Sequence, residues 1–131
     1  MSEFSEKAKK WIEKAIKDLE SSKVLYNSEN YEYSLFHSQQ AVEKFLKAFL
    51  TFHNKPFPKT HNIAKLIEMC KEIDKEFDKL YEIEADKLYP IGMDVRYPID
   101  VEISEEEAKE AIEIAEKVKE FVLNKLKIND V

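Results

Sequence analysis

Apolar residues recur along this chain at three- and four-residue steps, the spacing of one face of an α-helix. From Ser5 to about Asn27 the face reads Ala8, Trp11, Ile12, Ala15, Leu19, Ser22 and Tyr26, which predicts a first helix. The polar run Asn27-Ser28-Glu29-Asn30 breaks it. The second segment places Tyr31, Leu35, Ser38, Val42, Phe45, Phe49 and Phe52 in heptad spacing, with Ala41 and Ala48 on an adjacent stripe and Phe36, Leu46 and Leu50 elsewhere on its surface. So broad an apolar surface serves more than one neighbour, and this helix is expected at the centre of the fold. Asn54-Lys55-Pro56-Phe57-Pro58-Lys59 reads as a loop, because its two prolines remove amide donors and push the residues before them out of the helical region. A third helix restarts after Thr60 or Asn62, both good N-caps. Its face runs through Ile63, Leu66, Ile67, Cys70, Ile73, Phe77, Leu80 and on to Leu88, with a bend or break expected between Asp74 and Tyr89. The stretch Tyr89–Asp100 is irregular. Ser104-Glu105-Glu106-Glu107 then forms a capping box that opens a last helix through Ala108, Ile112, Ala115, Val118, Val122 and Leu126.

The expected fold class is therefore all-α: an up-and-down bundle of four long helices, with room for a fifth short one, in a single domain over residues 1–131. Composition sharpens this by exclusion. Gly92 is the only glycine, so neither the tight turns of a β-sandwich nor a Gly-rich phosphate loop can be built. Cys70 is the sole cysteine, which rules out an internal disulfide and any Cys-based zinc site. The residues three before His37, His53 and His61 are Ser34, Leu50 and Pro58, so the Glu-x-x-His pair of a di-iron bundle is missing and no metal site is expected. No apolar run has membrane-spanning length and the first residues lack the apolar core of a signal peptide, from which a cytoplasmic location is expected.

Net charge is −6, yet residues 31–61 are locally basic, with Lys44, Lys47, Lys55 and Lys59 against two acids and with His53 and His61 nearby. Lys44 and Lys47 are three apart and share a helix face, where a phosphate could be met. The competing reading is that Lys44 pairs with Glu43 or an acidic neighbouring helix, and that Lys55 and Lys59 only solubilise a loop. Duplex DNA is not an expected ligand, since it requires a broad basic face. Arg96 is the single arginine, and its planar fork of donors suits bidentate capture of phosphate or carboxylate. It stands in the irregular segment beside Asp94, Tyr97 and Asp100; tying that segment to the last helix is the structural alternative. Tyr97 and Tyr89 could stack on a base or plug the bundle end. His37 reads as a satisfied core histidine, and His61, beside the start of helix three, as a cap or an anion contact.

The run Asn30-Tyr31-Glu32-Tyr33-Ser34-Leu35-Phe36-His37-Ser38-Gln39-Gln40-Ala41-Val42-Glu43-Lys44-Phe45-Leu46-Lys47-Ala48, followed by Lys59-Thr60-His61-Asn62-Ile63 with Leu66, by Arg96-Tyr97-Pro98 and by the small residues from Ala108 to Ala115, resembles a HEPN domain, a nucleotide-binding domain family of higher eukaryotes and prokaryotes. The resemblance implies a HEPN-like helical bundle, a homodimer, and a gene neighbour encoding a minimal nucleotidyltransferase in a toxin–antitoxin pair. Family members that cleave RNA carry Arg-x(4–6)-His. Arg96 stands where that arginine would be, but residues 97–103 read Tyr-Pro-Ile-Asp-Val-Glu-Ile and hold no histidine. Without an imidazole there, no group near neutral pH is poised to take a ribose proton. The expectation is a non-catalytic module that binds a nucleotide or a nucleotidyltransferase partner through Arg96, Lys44, Lys47, His61 and Tyr97, with no catalytic residue, no metal and no cofactor beyond a nucleotide. The alternatives are an endoribonuclease toxin with a non-standard active site and a helical adaptor without a small-molecule site.

Overall fold

The computed structural model describes residues 3–88 and 102–127. Its long elements are α1 (Glu3–Asn27), α2 (Tyr31–Phe52) and α5 (Glu105–Leu126). Between α2 and α5 lie the nine-residue α3 (Ile63–Lys71), a 3₁₀ turn (Lys75–Asp78), the single-turn α4 (Lys79–Glu82) and a second 3₁₀ turn (Ala85–Lys87). Among the described residues there is no strand.

α1 and α2 form an antiparallel hairpin. Its turn is a left-handed helix stop: Asn30 N–H donates to the Leu25 carbonyl at 2.8 Å and Glu29 N–H to that of Tyr26 at 3.0 Å, with Glu29 at φ 63°. The two helices meet on small residues. Ser22 of α1 donates its hydroxyl to the Ser34 carbonyl (2.7 Å), Ser34 returns one to the Ser22 carbonyl (2.8 Å), and Ser38 supplies the third proton by donating to Ser22 Oγ (2.6 Å). All three serines are fully buried, so each hydroxyl needs this partner. Ala8, Ala15 and Ser22 are heptad-spaced on α1 and Ser34, Ala41 and Ala48 on α2. With Ser22 on Ser34, an antiparallel register sets Ala15 opposite Ala41 and Ala8 opposite Ala48, all buried. Side chains that small let the axes approach closely.

α2 is central, as its broad apolar surface predicts. Its buried Leu35, Val42, Leu46, Phe49 and Leu50 belong to one core cluster that also takes in side chains of α3, α5 and the short turns. Phe77, on the first 3₁₀ turn, stands between Phe49 (ring centroids 4.3 Å apart) and Phe121 of α5 (4.9 Å), so one aromatic chain joins three elements. α5 begins at the capping box read from the sequence: Glu107 N–H donates to Ser104 Oγ and Ser104 N–H to Glu107 Oε1, both at 3.1 Å.

The third predicted helix differs in extent. Its α-helical part ends at Lys71, ahead of the expected interval, because Asp74 starts a new turn by accepting the Glu76 amide at 2.9 Å. The change of direction leaves Ile73, assigned to the buried face, 37% exposed. α3 also does not simply reverse the direction of α2. The loop Asn54–Asn62 runs back along the hairpin, with Phe57 edge-on to Trp11 and His61 at Glu43. Cys70 Sγ then lies 3.7 Å from the Leu46 carbonyl and Glu72 pairs with Lys55, so contacts advance in the same sense along α2 and α3. The fifth, short helix is the turn Lys79–Glu82.

Lys125 near the end of α5 bridges Asp74 (2.8 Å) and Glu76. Its ammonium holds both carboxyls below their ordinary values of 3.8 and 4.5, aided at Glu76 by Lys79. The unfolded chain therefore takes up protons first as pH falls. The stabilisation is complete above those values and disappears as pH drops through the folded-state ones. Lys125→Met should lower stability at neutral pH, with the difference from wild type shrinking in urea titrations as pH falls below the ordinary carboxyl range. Ala41→Leu should cost about 2 kcal/mol in the same measurement, because the hairpin has no room opposite Ala15 for a larger side chain.

Candidate functional site

Two carboxylates organise the polar side chains of the α1–α2 hairpin. Asp18 of α1 takes Nδ1 of His37 at 2.9 Å on one oxygen and Nζ of Lys44 on the other. Glu43, on α2, is only 3% exposed and accepts from Lys47 Nζ at 2.7 Å, from Gln40 Nε2 at 3.4 Å, and from Nδ1 of His61, which lies 3.2 Å from each oxygen. The spacing of Glu43 and Lys47 is the favourable one for a helical ion pair, acid one turn ahead of base. Burying the pair is tolerable because the carboxylate has further donors. Lys47 Nζ lies 5.7 Å from the ring centres of both Trp11 and Phe57, which also fixes the returning loop against α1.

His61 is held from two directions. Asn62 next to it donates its amide to Thr60 Oγ1 (3.0 Å) and accepts the Lys65 amide on its side-chain oxygen (3.1 Å), capping α3. The imidazole itself is 69% exposed but has one nitrogen on the buried carboxylate.

Of the residues singled out from sequence, Lys44, Lys47 and His61 lie in these two clusters, while Arg96, Tyr97 and Tyr89 fall outside the described residues. Lys44 pairs with Asp18 of the neighbouring helix and Lys47 with Glu43, so both ammonium groups are matched by carboxylates within the hairpin. Lys55 pairs with Glu72. His37 is satisfied by Asp18 and sits at the hairpin surface, beside an open groove of about 590 Å³ lined by Lys17, Glu20, Ser21, Val24 and Leu25. A second hollow, about 370 Å³, is lined by Glu29–Tyr33, Glu102 and Ile103; none of Lys44, Lys47 and His61 lines either one. Among the described residues no group of three His, Cys, Asp or Glu could hold a metal ion, and no helix is long and apolar enough to cross a membrane.

The sequence reading missed Glu43 as an organising group and placed Asp18 nowhere. The signal for Glu43 was present as its four-residue step to Lys47 on a helix with a broad apolar surface; Asp18 could be found only from the register of the hairpin. Gln39, one turn before Glu43, is buried with its Oε1 unpaired, which no spacing rule would flag.

The chain belongs to the HEPN domain family, whose model matches residues 8–126, nearly all of the bundle just described. The crystal structure of ST0689, an archaeal HEPN homologue, is similar over 91% of this chain and 97% of that one, with a TM-score of 0.66 and 26% identity. Over 43 residues the sequence is 51% identical to "Putative toxin MJ1304" of Methanocaldococcus jannaschii, a match that spans 33% of this chain and 28% of that protein.

Lys47→Met should destabilise the fold by about 2 kcal/mol, because it takes the charged partner from the buried Glu43 carboxylate and leaves it only Gln40 and His61. The double variant Glu43→Gln/Lys47→Met should recover more than half of that loss in urea unfolding, since it leaves no buried charge.

Proposed function

We propose that this chain is the HEPN component of a toxin–antitoxin-type pair and acts by binding: a homodimer that meets a nucleotide, a minimal nucleotidyltransferase partner, or both, without cleaving RNA. The observation that carries this reading is the internal pairing of Lys44 and Lys47. With those ammonium groups matched to Asp18 and Glu43, the locally basic segment is not a polycationic track for a nucleic-acid strand. A small ligand or a protein surface suits it better. The sequence after Arg96 supports the same reading, since residues 97–103 contain no histidine to serve as a base. The name of the Methanocaldococcus jannaschii relative supports the pairing with an antitoxin. In this reading Arg96 clamps phosphate, Tyr97 stacks on a base and His61 completes the ligand contacts.

Incubation of the purified chain with single-stranded RNA should give no cleavage. A nucleotide at millimolar concentration should raise the melting temperature by a few degrees, and Arg96→Ala should remove the shift. Robust cleavage lost on Arg96→Ala with the fold intact would replace this reading by an endoribonuclease with a non-standard site. Absence of any nucleotide shift would favour the adaptor.

A further inference from the structure

We draw no further inference here: the strongest candidate, the open groove on the α1–α2 hairpin between Val24, Leu25 and His37, carries nothing, because nothing in the structure shows what covers it.

Discussion

The reciprocal hydrogen bonds between Ser22 and Ser34 fix how closely α1 can lie against α2, and the rest of the molecule is arranged around that distance. Each serine gives its proton to the other's backbone carbonyl, and Ser38 closes the set. A larger side chain at these positions would part the helices, and two smaller ones would leave buried carbonyls less well satisfied. Once the register is set, α2 has one side committed to α1 and the opposite side free for α3, the short turns and α5. The flanks carry the polar groups. Asp18 reaches His37 and Lys44 across the seam only because the backbones are near enough for short side chains to meet.

Charge follows the same logic. The chain has 20 lysines and one arginine, yet the two lysines on α2 are turned against carboxylates of the hairpin. The Glu43 cluster does more than neutralise. It ties the returning loop to the hairpin at His61, and the Lys47 contacts with Trp11 and Phe57 tie it a second time. The loop therefore delivers α3 at a defined point, and the 3₁₀ turn after α3 delivers Phe77 to the gap between Phe49 and Phe121. Lysine serves here as a linking group, its stem packed against aromatics and its head on an acid.

The architecture was largely legible because periodicity reports burial directly. Ala8, Ile12, Ala15, Leu19 and Ser22 on α1, and Leu35, Ser38, Val42, Phe45 and Phe49 on α2, are all buried where the spacing puts them. Ser104 and Glu107 could be read as a box because a cap is local. The break at Asp74 was harder, since the apolar repeat continues through Phe77 and Leu80 whether or not the backbone stays helical; a single aspartate accepting an amide decides it. The site was legible only as a set of residue types. Lys44, Lys47 and His61 stood out, but their partners Asp18 and Glu43 are set by interhelical register and by the path of a loop, which one-dimensional spacing does not contain. Family membership entered through the Gln39–Ala48 run and Lys59–Asn62, the same stretches that build the Glu43 cluster.

The reversals at either end of α2 make one more point about a chain with a single glycine. Glu29 stops α1 and Asn54 stops α2, each in the left-handed region that glycine normally occupies; Glu84 and Lys127 do the same further on. Each such residue carries a steric cost in the folded state. In exchange, the unfolded chain lacks the backbone freedom that glycines would have given it and so has less entropy to lose on folding. The same stiffness limits slack. A helical hairpin closed by a short, glycine-free turn returns α2 along α1 in one register, so the turn and the serine hydrogen bonds specify the same seam.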